Sequence, residues 1–480
     1  MYKCLLCLIL FFNSFSLLFS FNRNIDHIYL PNGMKVIMVE KPDSEKITIG
    51  MYYNVGHHDE PLEDQGVLDI INSYIDRHGG KHFSKDDSNS KSENPNRINT
   101  KQSVKTNLDY TYILTPDIEK EQIDSVFYYY SSLITNPPFN PNDLDSIRIN
   151  LKEYYKGTEF KRPVMLFDQG ILDESHPYKF SNKLQNIERI GLEKTKDFFS
   201  KYFNPSTATL IVIGDISFKE IINLSIKNFN HIAPLNTIPK DPDFSNSFEK
   251  HYGKTLSYKV SASELGEEAM LDIDGKKIEL YFSMAGLFFP LPSSRHPDII
   301  VINSIFKLLA QDYIMRGDFY NNFHEKANNS VLTDYTLKKN LSFTGAKISH
   351  FNVFIGTSIR KMKKHFFKAI DHLGENGFDQ EIIDTYRKRY LLNYFTKEND
   401  LDLLKEIGNN ELTYGDYKNF TYNTINALSN DDIKRIIKTY FSKEKVIYYK
   451  IAMDKKPWWN PIGSLFYRSI RMIFDLGNWF

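Results

Sequence analysis

Two successions of apolar strand-like segments and amphipathic helical segments follow one another along this chain, separated by a stretch, 234–248, that carries Pro234, Pro239 and Pro242 among Asn, Asp and Ser. That duplication constrains the fold more than any other feature. A chain of 480 residues exceeds what one hydrophobic core supports and suits two domains of roughly 200 residues. Proline fixes φ and removes a backbone donor, so 234–248 reads as a linker between α+β domains over 21–233 and 249–455.

In the first half, Ile28-Tyr29-Leu30, a Pro31-Asn32-Gly33 turn and Lys35-Val36-Ile37-Met38-Val39 predict two strands, and Ile47–Tyr53 a third. A helical period begins near Gln65, with Leu68, Ile71 and Ile75 on one face and Gly79-Gly80 closing it, so a helix is expected over 65–78. Residues 81–100 are rich in Ser, Asn, Lys and Asp and read as a polar insertion. Val104–Ile113 alternates like one strand. Helices are expected over 117–134, 141–156 and 217–229, and a buried strand over Ala208–Asp215. The second half repeats this grammar, with strands at 277–282 and in a pair within 330–357, and helices at 297–315, 359–375 and 379–397.

Lysine plus arginine (60) balances aspartate plus glutamate (60), which leaves no electrostatic footprint for nucleic acid. Met1-Tyr2-Lys3 followed by an apolar run from Cys4 to Phe21, with Ser16 and Ser20 near its end, is a signal-peptide pattern over 1–20; a membrane anchor is the competing reading. Secretion across an inner membrane to a periplasm, with possible outer-membrane association, is the address this implies. Cys4 and Cys7 are the only two cysteines, so a processed chain would hold neither disulfides nor thiolate metal sites. The tail, 456–480, gathers Trp458, Trp459, Phe466, Ile470, Phe474 and Trp479, several at helical spacing with Arg468 and Arg471 off the stripe. Such a helix either docks on a membrane or partner or packs on its own protein.

The stretch Tyr53-Asn54-Val55-Gly56-His57-His58-Asp59-Glu60-Pro61 through Gln65-Gly66-Val67-Leu68-Asp69-Ile70-Ile71-Asn72-Ser73 resembles the approach to the active site of the insulinase/pitrilysin zinc peptidases. Leu30-Pro31-Asn32-Gly33-Met34-Lys35-Val36, Thr106–Thr111, His176-Pro177-Tyr178 and Tyr202-Phe203-Asn204-Pro205 through Gly214-Asp215 match further motifs in order, and the likeness covers 25–455. It implies two homologous domains, each a mostly antiparallel sheet packed with helices, forming half of a clamshell.

In that family H-x-x-E-H on a helix supplies two zinc ligands and the general base, and a later glutamate the third ligand. Here those positions fall on Asp69, Asn72, Ser73 and Tyr154, and the substrate-holding arginine and tyrosine of the second domain fall on His324 and Val331. An amide cannot act as general base. The expectation is therefore a non-catalytic relative without metal or cofactor, paired as a hetero- or homodimer with another subunit of this type. Gln102, Ser103, Val104, Lys105 and Thr106 would offer a sheet edge to an extended peptide. A membrane-docked scaffold and a zinc endopeptidase with a rearranged site are the other readings. His57-His58-Asp59-Glu60 is expected to be a solvated turn, and His78 and His82 to face solvent.

Overall fold

A computed structural model describes residues 24–42, 44–82, 98, 100–156, 171–172, 183–239, 248–260, 270–273, 276–279, 283–324, 332–339, 344–352, 359–396, 399–418 and 425–453. The chain divides into two compact units, Met1–Leu151 with Gln185–Lys240 and Leu391–Leu412, and Lys152–Leu184 with Asp241–Tyr390 and Thr413–Phe480.

In the first unit β1 (Asn24–Tyr29), β2 (Lys35–Glu40), β3 (Ile47–Tyr53), β4 (Ser103–Thr106), β5 (Thr111–Ile118) and β6 (Ala208–Gly214) form one sheet in the order β1-β2-β6-β3-β5-β4. Only β2 and β6 run parallel; every other neighbouring pair is antiparallel. Side chains alternate across a strand, and here both faces are buried. Val36, Met38, Ile49, Met51, Leu210 and Val212 join a core with residues of helices Val67–His82, Ile123–Thr135, Leu192–Tyr202 and Phe218–Phe229.

Ile37, Tyr52, Ile211 and Ile213 point to the opposite face and are equally buried. Helix Asp400–Tyr414 covers that face, far away in sequence but grouped with this unit through Leu412. A Cβ on Gly408 would collide with the Tyr52 ring, and one on Gly50 with Leu404, so two glycines let helix and sheet approach. Lys35 meets Glu411 and Lys41 meets Asp400, each at 2.6 Å, and Tyr110 donates its hydroxyl to Asn409 Oδ1 at 3.2 Å.

The second unit repeats the connectivity. β7 (Thr255–Val260), β10 (Ser283–Leu291), β11 (Leu332–Lys339), β12 (Thr344–Asn352) and β13 (Ile447–Met453) lie in the order β11-β12-β10-β13-β7, with a single parallel pair, β13 and β7. β8 (Met270–Ile273) and β9 (Lys276–Glu279) form a separate two-stranded ribbon. Matching β7, β13, β10, β12 and β11 to β2, β6, β3, β5 and β4 reproduces five of the six strands of the first sheet in order; β1 has no counterpart among the described residues. The fold class is α+β with mixed, mostly antiparallel sheets, as the sequence predicts.

Two local expectations change. Residues 104–113 are a hairpin: Asn107 Oδ1 accepts from the amides of Asp109 and Tyr110, at 2.9 and 2.8 Å, and turns β4 back on β5. The helix expected from 117 begins at Ile123, because Thr111–Ile118 completes β5. Helices Leu192–Tyr202, Asp400–Tyr414 and Asn430–Tyr440 add to those expected from the sequence.

Candidate functional site

The approach to helix Val67–His82 is organised by Glu60, whose side chain is fully buried. Its Oε1 accepts from the amides of Gly66, at 3.0 Å, and Leu68, at 2.9 Å, so the carboxylate takes up free donors at the helix start and faces the positive end of the helix dipole. Gly66 stands at φ +109°, a conformation an L-residue rarely adopts. Oε2 is 2.9 Å from His57 Nδ1. Asp59 accepts from the Gly56 amide at 2.8 Å, and His58 Nδ1 lies 2.6 Å from the Leu108 carbonyl.

The solvated turn expected for His57–Glu60 is therefore corrected: His58 and Glu60 are 5% and 3% exposed, because one caps the helix through its carboxylate and the other anchors the β4–β5 turn. His78 stacks on Tyr129, with centroids 5.8 Å apart, and lines a cavity of about 280 Å³ with Tyr74, Arg77, Pro138, Phe139 and Asp143. Gly79 does not end the helix, which runs through His82; its missing Cβ leaves room for the Gln102 side chain.

Val67, Leu68, Ile70, Ile71, Tyr74 and Ile75 bury the apolar face of the helix. Asp69, Asn72 and Ser73 lie together on a half-buried stripe. Asp69 Oδ1 is 3.8 Å from His57 Nε2. Asn72 Nδ2 donates to Thr106 Oγ1 at 2.8 Å, Thr106 and Thr111 share a hydroxyl contact at 2.8 Å, and Thr111 donates to the Val55 carbonyl at 2.8 Å. Since a carbonyl only accepts, the chain has one direction, Asn72 to Thr106 to Thr111 to Val55. Ser73 donates its hydroxyl back to the Asp69 carbonyl at 2.8 Å, a local helix bond that turns it away from ligation.

Tyr154 stands on helix Leu144–Lys156, 64% exposed, with its ring against Tyr155. This donor set does not fit a zinc centre of the H-x-x-E-H kind: it offers one carboxylate, an amide with its NH2 committed to Thr106, a back-bonded hydroxyl and a phenol. Burial holds the Tyr129 and Tyr130 phenols well above the usual tyrosine range, so both stay neutral hydrogen-bonding groups.

Ser103–Thr106 is the outermost strand, paired on one side with β5. Gln102 precedes it and accepts from the Tyr129 hydroxyl at 3.0 Å. In the second unit the backbone of His324 ends a turn of π-helix, Tyr320–His324. Val331, most of the polar insertion 81–100, and the tail residues Trp458, Trp459, Phe466, Ile470, Phe474 and Trp479 lie outside the described residues. The contact between His57, Glu60 and Asp69 was not anticipated; the only sequence signal for it is the i, i+3 spacing of His57 and Glu60.

Two sheets that share one strand connectivity, with a glycine-led turn capping the helix beside the outermost strand of the first, define an α+β fold built twice on one plan. Residues 189–390 match the family model described as the Peptidase M16 inactive domain. A relative, the probable zinc protease PqqL of Haemophilus influenzae, is 21% identical over 228 residues, 45% of this chain and 24% of that protein. Among solved structures, a protease from Helicobacter pylori superposes with TM-score 0.65 at 14% identity, covering 90% of this chain and 100% of that one. The periplasmic protease PqqL from Escherichia coli gives 0.62 at 11%, covering 89% of this chain and 47% of the other. The chain is similar to the insulinase/pitrilysin peptidases, in sequence over residues 189–390 and in fold over about nine-tenths of its length, and its match spans about a quarter of the length of the curated relative.

Proposed function

We propose that this protein is a non-catalytic member of the family that binds extended peptide or a partner subunit instead of hydrolysing peptide bonds. The observation that carries this reading is the use made of the Asn72 side chain. At the position where the family places its general base, the amide donates into the hydrogen-bond chain that ties the helix to β4. An amide takes no proton from water at neutral pH, and this one spends its donor on structure.

Binding needs no such base. β4 ends the sheet with one row of backbone groups not used by β5, and an extended peptide pairs with such an edge through main-chain hydrogen bonds. The partner we favour is another insulinase/pitrilysin-type subunit, since the solved E. coli relative is about twice the length that this chain matches. A periplasmic address fits that periplasmic relative and the apolar N-terminal run; among the described residues no helix is long and apolar enough to cross a membrane.

The test has two arms. Purified protein is assayed for chelator-sensitive cleavage of a mixed peptide library, and for peptide binding before and after Val104→Pro, which removes a donor and bends the edge. Binding without cleavage, lost in the proline variant, is expected. Chelator-sensitive turnover that disappears in Asp69→Asn would refute the reading in favour of a rearranged zinc peptidase.

A further inference from the structure

The second sheet is one strand short of the first. β2 runs parallel to β6 as β7 does to β13, but the outer edge of β2 is covered by β1, antiparallel from Asn24 opposite Glu40 to Tyr29 opposite Lys35. Among the described residues no strand pairs with the outer edge of β7. In a parallel ladder alternate residues send both backbone groups to one neighbour, and the Lys254 carbonyl accepts from the Tyr448 amide at 2.9 Å. The backbone groups of Leu256, Tyr258 and Val260 therefore face β13, and Thr255, Ser257 and Lys259 each direct an amide and a carbonyl outward.

Such a row of backbone groups is a template for another strand, and edges that stay bare are commonly very short, bent by a bulge or loaded with charge. β7 is 6 residues long, keeps an unbroken register against β13 and carries one charged side chain, Lys259. Its side chains alternate, with Thr255, Ser257 and Lys259 exposed on one face and Leu256 and Tyr258 half-buried and Val260 buried on the other. In an antiparallel pair, hydrogen bonds are exchanged between opposite residues whose backbone groups point at each other, so outward residues must meet outward residues. A second β7 satisfies this about a two-fold axis through Ser257. Ser257 then lies opposite itself and Thr255 opposite Lys259, while Leu256 and Tyr258 form the closer, non-hydrogen-bonded pairs on the half-buried face. No lysine faces a lysine.

We propose that the outer edge of β7 is a homodimer interface, at which two copies of this chain pair antiparallel through Thr255–Lys259 and join their second sheets into one. The register follows from β7 itself: centred on Ser257 it uses every outward group of Thr255, Ser257 and Lys259 in both copies, and a shift by one pleat leaves Thr255 or Lys259 unpaired. A two-fold pairing of this kind is self-complementary and closed, so it covers both open edges at once and stops at the dimer. It names a partner subunit that docks through an edge distinct from β4, so its failure leaves the proposed peptide binding standing.

Sedimentation velocity of the purified protein across a wide concentration series reads the dimer. S257P deletes the outward amide at the axis and none of those given to β13, a place where an edge strand accepts proline; S257K sets two lysines directly opposite each other. S257C and T255C are compared with wild type under oxidation: the pair at the axis holds its Cα atoms about 5.5 Å apart, within reach of a disulfide, whereas the two Thr255 positions lie on opposite sides of the axis. Circular dichroism checks that each variant is folded. Wild type and T255C are expected to dimerise as concentration rises, with dimerisation at least tenfold weaker in S257P and S257K. S257C should yield a cross-linked dimer and T255C none above wild type. A monomer at every concentration, a dimer that neither S257P nor S257K weakens, or equal cross-linking of S257C and T255C overturns the proposal.

Discussion

Replacing Thr111 by valine keeps the shape of a fully buried side chain and removes the middle of the hydrogen-bond chain that joins helix Val67–His82 to β4. The substitution deletes the donor to the Val55 carbonyl and the acceptor for the Thr106 hydroxyl. Two neutral hydrogen bonds at about 1 kcal/mol each, plus roughly 1–2 kcal/mol for a carbonyl left unpaired in the core, give a loss of about 3–4 kcal/mol. With a urea m-value of about 2–3 kcal/mol/M, the midpoint of the first unit falls by about 1–2 M. Urea titrations of wild type, Asn72→Ala, Thr111→Val and the double variant measure this. Because the donors all point one way, breaking the chain at Thr111 also weakens what Asn72 contributes, and the double variant should be non-additive by roughly 0.5–1.5 kcal/mol. A Thr111→Val variant within about 0.5 kcal/mol of wild type, or strict additivity, refutes the reading that Asn72 has become a structural donor.

Glu60→Gln leaves one acceptor where a carboxylate served the amides of Gly66 and Leu68 and the His57 ring, and should cost about 2–3 kcal/mol in the same titration. Gly408→Ala gains about 1 kcal/mol of helix propensity, but its methyl runs into the Tyr52 ring, so a net loss of about 1–3 kcal/mol in thermal unfolding is expected. In the second unit burial pushes the Asp312 carboxyl up to about 6, against hydrogen bonds from the amides of Tyr320 and Phe319 that lower it. The unfolded chain then binds fewer protons than the folded one between about pH 4 and 6, so this group's contribution falls as pH rises through that window, by about 3 kcal/mol, and is flat above it. The difference in urea stability between wild type and Asp312→Asn should decline from pH 4 to 6.5; a level difference refutes the assignment.

Much of the architecture is legible from local pattern. The strands β2, β3 and β6 are runs of apolar residues bounded by turn signals, and apolar spacing marks the helix beginning at Val67. The repeat of strands and helices in the two halves is visible because each domain solves the same burial problem with the same alternation. The residues that the resemblance sets at the family's catalytic positions are likewise read directly, since the identity of Asn72 decides what a side chain can do with a proton wherever it sits.

Tertiary structure decided the rest. No local pattern places helix Asp400–Tyr414 on the first sheet, because the signal lies in glycines that matter only when Tyr52 and Leu404 arrive opposite them. The turn at His57–Glu60 reads as polar, and polar residues in a turn are normally solvated. Here a buried helix start supplied amides that draw Glu60 inward, and the Leu108 carbonyl holds His58. The placing of His57 between Glu60 and Asp69 follows from that capping, and only three-dimensional proximity could reveal it. Sequence determines which groups are present and which faces seek burial; the packing of distant elements determines which of those groups meet, because burial makes them find partners.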